Sequence, residues 1–243
     1  MEINKTCKLV LKGVYLYDIA SCHYTIYEKL GFDVSKIDKN DKEKRNIQIG
    51  IEIKNNPRLG SMLRDITIST ISEYLKENNI SEKDVILRQY DGVLTTKALK
   101  NTQGHIPLDL RKFFDIFIIS IDRSSYIALD STSITIKGVS NRYQRMDELY
   151  RKLCGIVNYN HKEEIFKGLK QVKDMLFSTE DVGLFCIPSD VDESKFLIFL
   201  KQYGEIEVSK STAKILDVSE IDRQKYFDFY LRPFTMSICK EFL

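Results

Sequence analysis

Residues 8–18 read Lys-Leu-Val-Leu-Lys-Gly-Val-Tyr-Leu-Tyr-Asp, an apolar and aromatic run that ends on a carboxylate. Aliphatic and aromatic residues at this density favour β-strands, so the run predicts one or two strands that end at Asp18. A second run, residues 85–96, is interrupted by Asp91-Gly92, which indicates a β-hairpin with a tight turn at or beside this dipeptide. The two predicted strand ends therefore each carry an aspartate.

Two carboxylates at the ends of neighbouring strands suit phosphoryl transfer. Asp18 and Asp91 can together hold two Mg²⁺ ions about 4 Å apart, and such ions position and neutralise a transferring phosphate. The alternatives are structural: Asp18 would cap the segment that follows the strand, and Asp91-Gly92 would only form a turn.

The remaining sequence predicts an α+β fold. Apolar residues from Leu59 to Leu75 recur with helical spacing between two Asn-rich flanks. Further strands are predicted at 114–121, 125–130, 133–137 and 182–187, and further helices at 143–157, 161–177, 192–203 and 222–242. This order indicates an antiparallel palm-like sheet backed by helices, followed by a helical C-terminal region. We therefore expect two domains, residues 1–140 and residues 141–243.

Composition indicates a globular protein and gives no overall signature of nucleic-acid binding. The 243 residues are 43% hydrophobic and 30% charged, which is enough for a real core, and the net charge is only +2. Binding to a nucleic acid would therefore depend on local clusters of basic residues. Two basic clusters exist, one with Lys36, Lys39, Lys42, Lys44, Arg45, Lys54 and Arg58, the other with Lys137, Arg142, Arg145, Arg151 and Lys152. Taken alone, each cluster is equally well explained as a solvated charged face.

The cysteines and histidines are scattered along the chain. Five cysteines and three histidines occur without a paired C-x-x-C motif, which is typical of free thiols in a reducing compartment and argues against a zinc site. The sequence also lacks an apolar stretch of the roughly 20 residues that a membrane span needs. We expect a cytoplasmic protein that does not bind a membrane.

Taken together, the motifs resemble those of family B DNA polymerases, in the same order along the chain. The segment Asp18-Ile-Ala-Ser21-Cys-His23-Tyr24-Thr-Ile is similar to the first palm motif, D-x-x-S-L-Y-P-S-I. The resemblance implies that Asp18 binds metal and that Ser21 faces the triphosphate.

His23 falls where the family usually carries the tyrosine that closes over the sugar, with Tyr24 as the alternative. Sugar discrimination would then be weaker than in the family. Without the resemblance, His23 would be a hydrogen-bonded core histidine.

The segment from Lys42 to Gly50 is similar to the fingers motif K-x-x-x-N-x-x-Y-G, except that Ile49 replaces the tyrosine. The resemblance implies that Lys42 contacts the incoming triphosphate and that Asn46 lies beside the nascent base pair. Whatever the family, a lysine and an asparagine one helical turn apart share a face and can bind one ligand. Alternatively, Lys42 is an ordinary solvated lysine in a charged run.

The segment Arg88-Gln89-Tyr90-Asp91-Gly92-Val93 resembles the hairpin motif Y-G-D-T-D-S-I. Asp91 takes the place of the second aspartate, which implies that it binds metal. Gln89 replaces the first aspartate and weakens the electrostatics, but one carboxylate from each motif can still bridge two ions.

Later segments resemble the parts of these polymerases that hold the primer. Residues 124–129 are similar to K-K-R-Y-A with serines in place of lysines, and residues 136–142 are similar to K-G-V-x-x-R. The resemblance implies that Tyr126 and Lys137 touch primer or template. The basic cluster at 137–152, with Arg142 and Arg145, is expected to bind the duplex backbone with an affinity that depends on salt. Tyr126 would otherwise be a packing residue. Residues 221–234 are similar to a thumb segment.

The resemblance implies a DNA polymerase that uses Mg²⁺, or Mn²⁺, and takes primer-template and nucleoside triphosphates. No D-x-E exonuclease signature precedes Asp18, so we expect no proofreading, and the fingers would be short, at about 27–58. The chain would be a minimal phage or mobile-element polymerase in a bacterial host cytoplasm, one half of a split enzyme, or a fragment. The rival function is a catalytically silent polymerase-like subunit that binds nucleic acid or a replication partner, which Gln89, Ile49 and the serines before Tyr126 support.

Overall fold

A computed structural model describes residues 3–35, 37–38, 41–139, 147–178, 206–209, 212–215 and 227–243. The strands are β1 (Val10–Asp18), β2 (Val85–Arg88), β3 (Gly92–Thr95), β4 (Asp109–Ile119), β5 (Tyr126–Leu129), β6 (Ile134–Lys137), β7 (Ile206–Ser209) and β8 (Thr212–Ile215). The helices are α1 (Cys22–Lys29), α2 (Lys42–Asn55), α3 (Pro57–Glu77), α4 (Asp147–Ile156), α5 (Lys162–Ser178) and α6 (Arg232–Phe242), with a π-helical turn at Phe227–Leu231. The segments predicted at 182–187 and 192–203 lie outside the described residues.

Six strands form one sheet in the order β2-β3-β1-β4-β5-β6. The registers of β1 with β3, β2 with β3, β4 with β5 and β5 with β6 are antiparallel. Short connections join the strand pairs β2–β3, β4–β5 and β5–β6, as expected for antiparallel neighbours. The predicted α+β class, an antiparallel sheet backed by helices, is confirmed.

The chain divides into two compact units, of which the first comprises residues 1–7 and 13–114. Its core contains β-strand residues together with one face of α3, whose buried residues include Leu59, Leu63 and Leu75. Pro57 starts this helix at a position where its missing N–H costs no hydrogen bond. The helix predicted from Leu59 to Leu75 is confirmed, because the apolar spacing matches the face that is buried.

The second unit comprises residues 8–12 and 115–243. Its core joins residues of β4 and β5 to helices α4, α5 and α6, and Ile118, Leu153, Leu176 and Phe234 are all at most 1% exposed. The predicted helices 143–157 and 161–177 are confirmed over their described residues, and the last helix is confirmed from Arg232 onward.

Three elements differ from expectation. Helix α1 was not predicted, because it is short and its first turn has no side-chain cap: Ser21, at the N-cap, has φ 51° and makes no capping bond. Strand β4 begins at Asp109 rather than at residue 114, because residues 110–113 are exposed on both faces and show no apolar alternation. The β7–β8 hairpin, Ile206–Ser209 with Thr212–Ile215, was not predicted.

Two smaller expectations also have structural outcomes. No helix within the described ranges is long and apolar enough to cross a membrane. The four cysteines that the structure describes, Cys7, Cys22, Cys154 and Cys239, form no disulfide with one another.

Candidate active site

The ends of β1 and β3 bring the two predicted aspartates to one end of adjacent strands. Asp18 lies opposite Gly92 in the β1–β3 register, and the amide of Ile19 donates to the carbonyl of Asp91 at 2.8 Å. The amide of Gln89 donates to the carbonyl of Gly92 at 2.8 Å, which closes the turn between β2 and β3. The predicted hairpin at Asp91-Gly92 is therefore confirmed.

Gly92 allows this close approach of the hairpin to β1. A Cβ atom at Gly92 would lie 2.5 Å from the carbonyl oxygen of Tyr17 and 3.1 Å from the Cβ of Asp18. The first distance is shorter than any ordinary contact, so only glycine fits without a backbone shift. The glycine beside Asp91 thus sets how near the turn comes to Asp18.

Arg111, on β4 at the other side of β1, is the direct partner of Asp18. Its Nε donates a short hydrogen bond to Oδ1 of Asp18. This bond is the main reason that the pKa of Arg111 is raised, and the negative charges of Asp18, Asp109 and Asp91 raise it further. A guanidinium therefore lies within electrostatic reach of both predicted metal ligands. The side chains of Arg111 and Asp18 are 43% and 30% exposed, so solvent reaches the pair.

Cys22, the first residue of α1, also lies within electrostatic reach of Asp18 and Asp91. Its Sγ lies 3.3 Å from Oγ1 of Thr67, whose own hydroxyl donates to the carbonyl of Leu63. Burial raises the pKa of Cys22 to about 11, and the charges of Asp91 and Asp18 add to that rise. Cys22 is thus a protonated thiol that donates to Thr67, and a thiolate nucleophile is excluded near neutral pH. The charges of Asp18 and Asp91 thus both reach the Cys22 thiol, and their common role as metal ligands stays a prediction.

His23 and Tyr90 form a polar pair beside Asp91. Nε2 of His23 lies 2.8 Å from the hydroxyl of Tyr90, and the rings meet edge to face with centroids 5.3 Å apart. Burial lowers the pKa of His23, while the charge of Asp91 opposes this shift. Burial also raises the pKa of Tyr90. Both side chains are therefore neutral near pH 7 and present hydrogen-bonding atoms rather than charge.

The structure distinguishes the two residues predicted to face the sugar. Tyr24 is only 5% exposed, and its hydroxyl donates to Oε1 of Glu28 at 3.3 Å. The guanidinium of Arg45 lies over the Tyr24 ring at 6.0 Å, which joins α2 to α1. His23, in contrast, is half-buried and bonded to a residue of the β2–β3 turn. Of the two, His23 is the residue that contacts the β2–β3 turn, and a contact with the sugar stays a prediction for both.

The other residues predicted to bind nucleotide are exposed. Ser21 lies between β1 and α1, where its hydroxyl makes no helix-capping bond. Lys42 and Asn46 are exposed on the first two turns of α2. Asp41 fixes the start of that helix by accepting bonds from the amides of Glu43 and Lys44. The predicted shared face of Lys42 and Asn46 thus exists on a capped helix, and their binding roles stay predictions.

The residues predicted to hold nucleic acid differ in their surroundings. Tyr126 is 3% exposed and stacks on Phe117 with centroids 4.6 Å apart, so its ring packs in the core. Lys137 ends β6 and is exposed. Arg142 and Arg145 lie outside the described residues. A nucleic-acid contact stays a prediction for each of these residues. Because the Tyr126 ring is buried, little of its surface is available for such a contact.

The carboxylates fit a divalent cation in part. Mg²⁺ prefers oxygen ligands and is commonly held by one or two carboxylates together with substrate phosphates and water. Asp18 and Asp91 supply such a pair. In the described part of the chain, however, no group of three or more His, Cys, Asp and Glu side chains forms a candidate cation site. Asp18 and Asp91 supply the ligand type that Mg²⁺ prefers, and Arg111 already occupies Oδ1 of Asp18.

Sequence reasoning missed Arg111, the residue in most direct contact with the site. Its strand was predicted to begin at residue 114, so Asp109 and Arg111 fell in a presumed loop. A signal was present: opposite charges two residues apart share one face of a strand, next to the strand that carries Asp18.

Comparison with known proteins adds little to this geometry. No protein-family model and no curated protein sequence matches the chain. Among solved structures, the chain is similar to the family B DNA polymerase from the hyperthermophilic archaeon Pyrobaculum calidifontis, with a TM-score of 0.49 and 11% sequence identity. The match covers 99% of this chain and 46% of that chain, so this chain spans about half the length of the polymerase. Likeness at this level does not establish a shared family.

Proposed function

We propose that the chain catalyses template-directed nucleotidyl transfer to a primer, with Asp18 and Asp91 as its cation ligands. The observation that supports this most is the β1–β3 register, in which Asp18 lies opposite Gly92 and Asp91 follows at the turn. The charges of both aspartates act on Cys22 and on Arg111, which supports a common site. Paired carboxylates at the open end of a sheet are suited to phosphoryl transfer.

In the proposed reaction the primer 3′-hydroxyl oxygen bonds to the α-phosphorus of a nucleoside triphosphate. The bond from that phosphorus to the bridging oxygen breaks, pyrophosphate leaves, and the hydroxyl proton passes to water. Divalent cations, when bound, neutralise phosphate charge and lower the pKa of the attacking hydroxyl. Asp18 and Asp91 hold cation in this scheme, while neutral His23 and Tyr90 contact the sugar by hydrogen bonds. Lys42 attracts the triphosphate.

One observation favours the second candidate, a silent polymerase-like subunit. The guanidinium of Arg111 already satisfies Asp18, and Gln89 stands in the turn where the resemblance expects an acid. A protein without catalytic activity would tolerate the Arg111–Asp18 pair, because Asp18 would not need to bind a cation.

Primer extension separates the two functions. Purified chain is mixed with labelled primer-template, Mg²⁺ and dNTPs, beside Asp18→Asn, Asp91→Asn and the control Asp115→Asn, an exposed aspartate of β4. We expect extension by the wild type and the control, and a loss on the order of a hundredfold or more in the two site variants. Duplex binding should stay within a few-fold in all four. A wild type that binds duplex without extending it would support the silent subunit.

The role of Lys42 is tested on the same helix. Lys42→Ala should raise the KM for dNTP by about tenfold, because an ammonium that faces phosphate contributes to binding. Lys54→Ala is the matched control, since Lys54 is exposed in the last turn of α2. Equal effects of the two changes would show that Lys42 is only a solvated charge.

A further inference from the structure

The position of Arg111 creates a conflict with cation binding. Its Nε donates directly to Oδ1 of Asp18, and its charge also interacts with Asp91. A divalent cation that uses Asp18 would seek the same carboxylate. Two positive groups on one small carboxylate repel each other, and both gain most when they hold it alone.

The surroundings of Arg111 provide an alternative partner. Asp109 lies two residues earlier on β4, on the same strand face, and its charge already acts on the guanidinium. The side chain is 43% exposed and therefore has room to change rotamer. Release of Asp18 would not leave the guanidinium without a counter-charge.

We propose that Arg111 is a built-in competitor of the divalent cation for Asp18, so that the site takes up its cation only as the guanidinium leaves the carboxylate. The inference rests on the proposed function, because it assumes that Asp18 is a cation ligand. It adds a residue that sets the cation affinity and that no motif singled out.

Direct Mn²⁺ binding tests this competition without any measurement of catalysis. The free Mn²⁺ concentration is followed by electron paramagnetic resonance during titration of wild type, Arg111→Gln, Lys112→Gln and the double variant Asp18→Asn/Arg111→Gln. Lys112 is the matched control, because it lies on the opposite face of β4 and its removal changes the net charge by the same one unit.

We expect Arg111→Gln to bind Mn²⁺ about tenfold more tightly than the wild type, since one hydrogen-bonded counter-charge is removed. Lys112→Gln should stay within about twofold, because its charge is on the other face. The double variant should lose the gain. Should Arg111→Gln fail to fold, Arg111→Lys keeps the charge but loses the planar donor geometry, and a smaller gain in affinity is then expected.

The outcomes separate this inference from the proposed function. Equal Mn²⁺ affinity in wild type and Arg111→Gln, abolished by Asp18→Asn, would overturn the competition and leave the cation site intact. A gain in Arg111→Gln that survives Asp18→Asn would likewise overturn it, because the carboxylate would not be the contested group. Absence of Mn²⁺ binding in every variant would overturn both.

Discussion

Burial and charge act on His23 in opposite directions, and burial prevails. The ring is half-buried between α1 and the β2–β3 turn, where loss of water disfavours the imidazolium. Asp91 favours the imidazolium but does not offset this effect. The Tyr90 hydroxyl is satisfied by a neutral ring nitrogen, so the pair needs no charge. The result is a polar contact that stays neutral at physiological pH.

This balance predicts a pH-dependent stability. The folded pKa of His23 lies below its unfolded value of 6.5, so the unfolded state binds the proton more readily, and stability falls as pH decreases from about 6.5 through the folded pKa. His23→Gln keeps a hydrogen-bonding group for Tyr90 but cannot titrate. We expect the loss of stability between about pH 7.5 and about pH 5.5 to be smaller in this variant, measured by urea unfolding.

His105→Gln is the control, since His105 is an exposed histidine of the same unit. It should retain the pH dependence of the wild type. A His23→Gln variant that loses as much stability on acidification as the wild type would show that another group titrates.

The same residue predicts the sugar preference, on the basis of the proposed function. An imidazole is smaller than a phenol, so a pocket closed by His23 should admit ribonucleotides better than one closed by tyrosine. His23→Tyr should therefore raise the preference for dNTP over rNTP in single-nucleotide incorporation. Tyr24→Ala should leave that preference unchanged, because Tyr24 is buried beneath Arg45. The opposite pattern would move the sugar contact to Tyr24.

At the scale of elements, the β2–β3 hairpin depends on one glycine. Gly92→Ala would place a methyl group 2.5 Å from the Tyr17 carbonyl, so the turn must move away from β1. We expect a loss of about 1–3 kcal/mol in the free energy of unfolding, because overpacking forces backbone shifts. Mn²⁺ affinity should fall as well, since the displaced turn carries Asp91.

Gly50→Ala is the matched control for this change. Gly50 lies within α2, and nothing would meet its Cβ within 4 Å. Alanine there should stabilise the protein by about 0.5–1 kcal/mol, because it lowers the conformational entropy of the unfolded chain. Urea unfolding and Mn²⁺ titration of both variants measure the contrast. Equal stability of the two variants would contradict the close packing of Gly92.

The elements that were predictable from sequence have strong local signals. Helix α3 has a buried apolar face and a Pro start, and the hairpin has its Asp91-Gly92 turn, so both follow from local chemistry. Helix α1 and the first half of β4 depend on tertiary contacts instead, such as the Cys22–Thr67 bond and the Arg111–Asp18 pair. The positions of Asp18 and Asp91 at the ends of strands follow from local signals, whereas the pairing of Arg111 with Asp18 joins residues far apart in sequence and leaves no periodic pattern.

At the scale of the whole molecule, the candidate site belongs to one unit. The side chains of Asp18, His23, Tyr90, Asp91 and Arg111 all lie within residues 13–114. The second unit has its own core, in which Phe234 is 1% exposed and meets the ring of Tyr150 edge to face. None of the five site residues belongs to that core.

This division predicts that a defect in the second core separates stability from cation binding. Phe234→Ala should lower the free energy of unfolding by about 3–5 kcal/mol, because a large buried ring leaves a cavity. Phe166→Ala, on α5 and 60% exposed, should change it by less than about 0.5 kcal/mol. In conditions where both variants are folded, Mn²⁺ affinity should stay within about twofold of the wild type, since neither ring belongs to the unit that holds Asp18 and Asp91. A fall in Mn²⁺ affinity that appears in folded Phe234→Ala and not in Phe166→Ala would show that the second core helps to shape the cation site.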